Sequence, residues 1–378
     1  MAGIYIHVPF CKTRCRYCDF YSTTDEASME RYVDAVVREA RMHQNELNGL
    51  DIITLYVGGG TPSQLPATLL SRLVNGLTSC FDLSRLEEAT IEVNPDDIAD
   101  TDVASAIHDI GFNRVSMGVQ SMVDDELRLI GRRHDAEAVT LAVDNLRNAG
   151  FRNISLDLIY GLPTQTVDSW KYSLQALLKL KPQHISAYNL SYEPGTVLSQ
   201  WLEQKRIQPI DEELCNEMYD ILVDSLVAAG FQHYEISNFA LQGYHSRHNS
   251  SYWIQAPYIG LGAAAHSYDG NRIRSCNPSS ISEYVSAIEQ DTLPLSEEHL
   301  NDEQLLTEAV MLGMRTARGV DLEAIAIRFG KETLQRLLAN AQPYIDDLHL
   351  IINNNHISLN RSAIFISDTI IVDLLHNL

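Results

Sequence analysis

Six short apolar runs alternate with helical stretches over the first half of this chain, and that alternation leaves few folds open. The runs lie at 3–8, 53–57, 90–93, 114–118, 154–159 and 184–190. The stretches at 27–46, 64–79, 101–110, 136–149 and 166–180 carry apolar residues every three to four positions. Alternating strand-like and helix-like patterns specify βαβ units, whose parallel strands are covered by their own crossover helices. Six units over about 190 residues fall short of a closed eight-unit barrel, which takes ~250. The expected class is therefore α/β, as a partial, open (β/α)6 barrel. A doubly wound sheet fits the same pattern. Gly-Phe pairs at 111–112, 150–151 and 230–231 punctuate helix ends, where glycine takes the left-handed position that stops a helix.

Beyond about residue 230 the pattern changes. Positions 234–268 are rich in Tyr, Trp, His, Ser and Gly without a helical period, and read as a surface or cleft-lining layer. Helical spacing returns at 302–316, 321–329 and 332–345. Two short strands follow at 348–352 and 356–359, joined by Asn353-Asn354-Asn355; asparagine tolerates the positive φ of a hairpin turn. The expected organisation is a core barrel over 1–232, an aromatic and His-rich connection over 233–296, and a small helical, winged-helix-like domain over 297–378.

With 28 Lys and Arg against 50 Asp and Glu, the formal net charge is −22. That balance opposes broad contact with a phosphate backbone, so nucleic acid is not an expected partner, even for a winged-helix-like domain. No apolar run approaches the roughly 20 residues of a membrane span. The first ten residues lack the basic and long apolar segments of a signal peptide. The six cysteines are accordingly expected to be reduced, in a cytoplasmic protein. Cys80, Cys215 and Cys276 stand alone and read as buried, inert thiols.

The other three cysteines fall within eight residues, Cys11-Lys-Thr-Arg-Cys15-Arg-Tyr-Cys18, directly after the first strand. The C-terminal end of a strand is where (β/α) folds build active sites. Three thiolates can hold three irons of a four-iron cluster and leave the fourth open to a small molecule. Zinc, with His7 or a distant fourth ligand, is the alternative for the same thiolates. Lys12, Arg14 and Arg16 either meet anionic charge there or form a solvated basic loop. Gly58-Gly59-Gly60 ends the second strand and allows close backbone approach. Glu92, Gln120, Arg132 and Asp157 are polar residues at otherwise apolar strand ends. They either pair with one another or converge on a ligand carrying amino, carboxylate and ribose groups. Arginine suits the carboxylate, and glutamate suits the amine or hydroxyls.

Taken in order, Cys-x3-Cys-x2-Cys, Gly-Gly-Gly-Thr-Pro, Glu-Val-Asn-Pro, Gly-Val-Gln-Ser and Asp-Leu-Ile-Tyr-Gly-Leu-Pro resemble the radical S-adenosylmethionine (SAM) superfamily. More narrowly, they resemble the oxygen-independent coproporphyrinogen III oxidase-like family (HemN) and its heme-chaperone branch (HemW). The resemblance covers most of the chain. It implies a [4Fe–4S] cluster on Cys11, Cys15 and Cys18, with SAM chelating the open iron through its amino and carboxylate groups. The implied SAM pocket comprises Tyr5, Tyr17, Gly59, Gly60, Thr61, Glu92, Gln120, Arg132 and Asp157. In the superfamily one electron from the cluster cleaves the sulfonium to methionine and a 5′-deoxyadenosyl radical, and the cofactors carry that chemistry.

Two departures separate the chain from the oxidase pattern. That pattern continues Cys-x2-Cys-x-Cys, whereas Cys18 is followed here by Asp19 and Phe20. The oxidase also carries an extension ahead of its cysteines, and this chain begins ten residues before Cys11. In turn, His248-Asn249-Ser250-Ser251-Tyr252-Trp253 matches the His-Asn-x-x-Tyr-Trp motif of the heme-chaperone branch. Imidazole is a common axial ligand of heme iron, and Tyr252 and Trp253 offer flat apolar surface with a polar edge. The plainer reading is a satisfied histidine beside two core aromatics. His245 and His266 are alternative axial ligands. The branch implies a cytoplasmic protein that binds heme and passes it to apo-hemoproteins such as those of a respiratory chain. It also allows peripheral contact with membrane-protein partners and a dimer that depends on the cluster. No catalytic residue is assigned. The competing expectation is an oxidase that decarboxylates two propionates of coproporphyrinogen III; a purely structural zinc protein is the third.

Overall fold

The apolar runs form parallel strands: β1 (Ala2–Val8), β2 (Ile52–Gly59), β3 (Glu88–Val93), β4 (Arg114–Gln120), β5 (Ile154–Tyr160) and β6 (His184–Asn189). The structure is a computed structural model and describes residues 1–47 and 49–376. These strands lie side by side in chain order. A doubly wound sheet reverses its strand order at a switch point; this one does not, so the partial barrel is the fold. The crossover helices are α1 (Met29–Met42), α2 (Ala67–Thr78), α3 (Thr101–Ile110), α4 (Asp124–Ile130), α5 (Ala136–Asn148) and α6 (Val167–Lys179). They are followed by α7 (Val197–Glu203) and α8 (Glu212–Ala228). The helices α4, α7 and α8 had no counterpart among the expected stretches.

Strand residues alternate between two unlike faces. Ile4, Ile6, Leu55, Val57, Ile91 and Val115 are fully or almost fully buried in the main apolar core with the helices. The opposite face is polar. Tyr5, Tyr56, Thr90 and Arg114 are level in one layer, and Glu92, Ser116, Ser155 and His184 in the next. Closed barrels fill this space with branched aliphatic side chains. Here it is lined with hydrogen-bonding groups, which suits a polar guest.

The region beyond 230 is built of short strands and a helix, and its side chains do line clefts. The strands β7 (Gln232–Glu235) and β8 (Asn238–Ala240) extend the β6 edge. The helix α9 (Arg247–Trp253) follows, with its first amides held by the Glu88 carboxylate at 2.8 and 3.0 Å. The strand β9 (Tyr258–Leu261) then pairs parallel with β1, and β10 (His266–Tyr268), β11 (Ile273–Cys276) and β12 (Ser296–His299) continue antiparallel. Among the described residues the sheet has twelve strands. Strands of three or four residues are too short to show a period, so these were not legible.

One buried carboxylate ties the added strands to the barrel. Glu39 on α1 accepts from the Gly262 N–H (2.8 Å), Asn277 Nδ2 (2.6 Å) and the hydroxyl of Tyr284 (2.6 Å), on the helix α10 (Ile281–Ile288). Tyr32, also on α1, donates to the His7 carbonyl (2.7 Å) and accepts from the Ala263 N–H (2.9 Å).

The C-terminal unit comprises α11 (Asp302–Met314), α12 (Leu322–Phe329), α13 (Lys331–Asp346) and α14 (Ser367–Leu374) around a small sheet. That sheet joins β13 (Val320–Asp321), β14 (Leu350–Asn353) and β15 (His356–Leu359). Its own apolar core includes Val310, Leu337, Ile357 and Ile370. Asn353 pairs with His356, so the hairpin loop is Asn354-Asn355, both at positive φ (46° and 63°). That is the two-residue turn which matches strand twist. Among the described residues no helix is long and apolar enough to cross a membrane. All six cysteines are unpaired and half-buried. Cys80, Cys215 and Cys276 therefore depart from the buried state expected of them.

Candidate cluster and cofactor site

The cysteine loop is clamped to the end of β2. The Gly60 N–H donates to the Val8 carbonyl and the Thr61 N–H to the Phe10 carbonyl, each at 2.8 Å. A Cβ on Gly60 would stand 2.7 Å from that Val8 oxygen and 2.8 Å from the Pro9 carbonyl carbon, so only glycine fits. Gly59, at φ +104°, donates its N–H to Glu92 at 3.0 Å. Each of these three amides is taken inside the protein. The glycine segment builds the loop's seat.

A polar chain runs from thiol to thiol behind the loop. Arg132 places Nη1 3.4 Å from Cys15 Sγ and donates from Nη2 to Asn94 Oδ1 (2.5 Å) and to the Gly118 carbonyl. Asn94 Nδ2 donates to Thr61 Oγ1 (3.1 Å), which lies 3.4 Å from Cys11 Sγ. Tyr17 packs on the cluster of Ile130, Ile159, Leu162 and Leu198. The basic residues divide by role. Arg16 donates to the carbonyls of Arg128 (2.9 Å) and Leu129 (2.7 Å) and stacks on Trp201, pinning the loop to the C-terminal end of α4. Arg14 is exposed and donates to the carbonyls of Cys18 and Phe20.

The donor set fits an iron–sulfur centre. Burial pushes the Cys11 thiol up and the Cys18 thiol up to about 11; a bound metal centre supplies the positive charge that holds such groups as thiolates. Among the described residues no three His, Cys, Asp or Glu side chains close on a single-ion site.

Glu92 accepts from the Tyr56 hydroxyl (2.7 Å) as well as from Gly59. Burial pushes its carboxyl up to about 7 against those hydrogen bonds, with Asp157 adding to the rise. Asp157 accepts from the hydroxyls of Ser116 (3.1 Å) and Ser155 (3.3 Å), and burial raises it also. Neither carboxylate is ion-paired with Arg132 among the described residues, so the polar residues did not simply neutralise one another. Gln120 sits at a bulge with φ +69°; strain of this kind in a non-glycine residue gathers at functional sites. Tyr5 bonds His7 Nδ1 through its hydroxyl (3.1 Å). Sequence reasoning missed Asn94, Tyr56 and Arg114. Asn94 stood inside the quoted Glu-Val-Asn-Pro. Tyr56 and Arg114 were detectable only as polar members of strands whose inner face was not known to be polar.

Because folding raises the Glu92 pKa from 4.5 to about 7, the folded state holds that proton more tightly than the unfolded chain. The resulting stability is fully present below pH 4.5 and is lost as pH rises through 7, by at most ~3 kcal/mol. Glu92→Gln should flatten that part of the stability curve, read as urea midpoints at pH 5 and 7.5. Parallel curves for the variant and the unaltered chain would refute the assignment.

The three candidate histidines part company. His248 is fully buried (0 % exposed) and its ring stacks on Tyr56 at 5.1 Å. Its Nδ1 bonds Thr54 Oγ1 (2.9 Å) and its Nε2 the Tyr252 hydroxyl (2.8 Å). Burial lowers its pKa to about 3. In this conformation it is the satisfied histidine of the plainer reading, with neither nitrogen free for iron. Tyr252 and Trp253 do not share a face. Tyr252 lines a cavity of about 850 Å³, while Trp253 and His245 line another of about 610 Å³ against α11 and α12. His245 stacks on Tyr234 (4.2 Å, 12°) and bonds Gln232 Oε1 (2.9 Å). His266 is exposed in the wall of the larger cavity. Phe20 and Tyr21 of the cysteine loop, Tyr258 of β9 and Tyr268 of β10 line the same space. Phe20, where the oxidase pattern has a cysteine, is 62 % exposed.

Family comparisons agree with this architecture. The Radical SAM superfamily matches residues 5–177, and the HemN C-terminal domain matches residues 300–366. Heme chaperone HemW of Bacillus subtilis (strain 168) is 35% identical over 334 residues, 88% of this chain and 88% of its own length. Heme chaperone HemW of Lactococcus lactis subsp. lactis (strain IL1403) is 34% identical over 366 residues, 96% of this chain and 93% of its own. This chain belongs to the HemW family of the radical SAM superfamily. Superfamily membership implies a [4Fe–4S] cluster and SAM. The fold of this HemW-family chain is shared with coproporphyrinogen III oxidase (HemN) from Escherichia coli, described as a radical SAM enzyme. That structure gives a TM-score of 0.85 at 23% identity, covering 100% of this chain and 90% of its own.

Proposed function

We propose that this HemW-family protein binds heme and hands it to apo-hemoproteins, respiratory-chain proteins among them, from the cytoplasm. In this reading Cys11, Cys15 and Cys18 ligate a [4Fe–4S] cluster. Tyr5, Tyr17, Gly59, Gly60, Thr61, Glu92, Gln120, Arg132 and Asp157 form the SAM pocket. When bound, that cofactor pair supplies one-electron cleavage of a sulfonium, which here serves assembly or regulation. Arg132 orients the thiolate of Cys15, and Glu92, held by Tyr56 and Gly59, offers a fixed acceptor to amine or hydroxyl donors.

The observation that carries the proposal is the cavity of about 850 Å³ beside the cysteine loop. Ligand cavities run from about 300 to 1,000 Å³ and are mostly apolar and aromatic, so it has room for a large flat ring. Phe20 places an exposed phenyl group in its wall. The names of the HemW relatives support heme as the guest.

Anaerobically purified protein mixed with heme should bind about one heme per chain, one guest in the cavity beside the loop. The same protein given coproporphyrinogen III, SAM and a reductant should form no protoporphyrinogen. Turnover to protoporphyrinogen would replace this reading with the oxidase.

A further inference from the structure

We propose that His266 is the axial ligand of the bound heme, with the porphyrin face against Phe20 and one propionate on Arg14. The inference rests on the heme-binding reading above and adds the residue that holds the iron. It reverses the choice that the His-Asn-x-x-Tyr-Trp motif suggests.

An iron ligand needs an accessible nitrogen lone pair. His248 has none, since Thr54 and Tyr252 occupy both of its nitrogens. His7 borders the same cavity but bonds the Tyr5 hydroxyl at 3.1 Å and the Tyr21 carbonyl at 3.0 Å. His245 faces the other cavity and lies flat on Tyr234. His266 alone of the four lies exposed in the large cavity, and among the described residues its ring takes no hydrogen bond. Burial, and then the neighbouring Arg274, lower the pKa of that ring, which favours the neutral form that donates to a metal. Coordination would form one N–Fe bond and displace a water from the iron, with no change of oxidation state.

The backbone presents this side chain deliberately. A Cβ on Gly260 would lie 1.9 Å from the His266 carbonyl oxygen, so β10 crosses β9 where only glycine permits it. Two residues earlier Ala264 has φ +62°, a left-handed conformation that costs a non-glycine residue ~1–3 kcal/mol. The strained turn is braced from beneath, because Glu39 holds both Gly262 and Asn277, and the Asn277 N–H donates to the Ala265 carbonyl at 2.9 Å. An exposed imidazole on so constrained a turn is pre-positioned for a ligand.

Charge in the wall is similarly sorted. Arg274 is matched by Glu308, with both guanidinium nitrogens on its carboxylate (2.6 and 2.8 Å). Arg14 donates to carbonyl oxygens and meets no carboxylate among the described residues, which leaves it available to a propionate.

Heme titrations of the full chain, followed by absorption and by ferric-heme electron paramagnetic resonance, test this. His266→Ala should lose the imidazole-ligated signature and weaken heme binding at least as much as loss of an outer-shell partner does, about 10–100-fold. Free imidazole should restore the signature. His248→Ala should keep it, and Arg14→Gln should weaken affinity without altering it. An unchanged signature in His266→Ala, or its loss in His248→Ala alone, would overturn the assignment and leave heme binding standing. Failure of the unaltered chain to bind heme would sink the chaperone reading itself.

Discussion

Cys15→Ser should drop iron and sulfide in anaerobically purified protein from about four of each per chain to background. Three thiolates are the minimum that leaves a single open iron, so loss of one removes the centre rather than weakening it. Cys15 is the member whose sulfur meets Arg132, and that guanidinium also holds Asn94 and the Gly118 carbonyl. A serine there keeps the volume of the side chain and leaves the loop's backbone bonds to Gly60 and Thr61 intact. The hydroxyl is a harder and far less acidic donor than a thiol, and iron–sulfur clusters select thiolate. The fold should therefore survive, with far-ultraviolet circular dichroism unchanged while the visible absorption disappears. Cys80→Ser, on a half-buried thiol remote in sequence from the loop, serves as the control and should retain iron. Zinc in place of iron in the unaltered protein would overturn the cluster assignment.

Glu39→Leu should destabilise the protein by ~3–5 kcal/mol, the cost of breaking a buried charged network by removing one partner. Its carboxylate is fully buried and receives three donors from three separate segments, Gly262, Asn277 and Tyr284. Burial pushes its pKa up, and those donors oppose the rise. Leucine fills similar space but leaves each donor without an acceptor in a dry site. Urea denaturation at neutral pH reads the loss. Glu39→Gln, which keeps one acceptor oxygen, should fall between. A shift below about 1 kcal/mol for the leucine variant would mean that water reaches these donors. Because the same carboxylate braces the turn before His266, Glu39→Leu should also loosen heme binding before it unfolds the barrel.

The barrel was legible because its signals are local. Apolar residues at two-residue and three-to-four-residue spacing mark β1–β6, α1–α3, α5 and α6 within windows of one element, and the asparagine turn between β14 and β15 announced itself by residue type. The strands β7–β12 escaped notice because three or four residues carry no period, and the two that join them to the barrel, β8 and β9, pair with β6 and β1, far away in the chain. The cysteine triplet and Gly-Gly-Gly segment were visible as motifs. That the glycine amides bond Val8, Phe10 and Glu92 was not, since nothing local says which strand end lies beside another.

The histidines mark the boundary most clearly. From the sequence alone came the polar residues at strand ends, the three-thiol loop, the exchange of a cysteine for Phe20, and three histidines competing for one role. Only the tertiary structure shows how differently those histidines are surrounded. Thr54 and Tyr252 come to the two nitrogens of His248 from β2 and from one turn along α9, while Gly260 and the Glu39 network turn His266 into the cavity. Whether an imidazole can bind iron depends on what lies within 3 Å of each of its nitrogens. Residues far apart in the chain decide that, and a one-dimensional motif does not encode it.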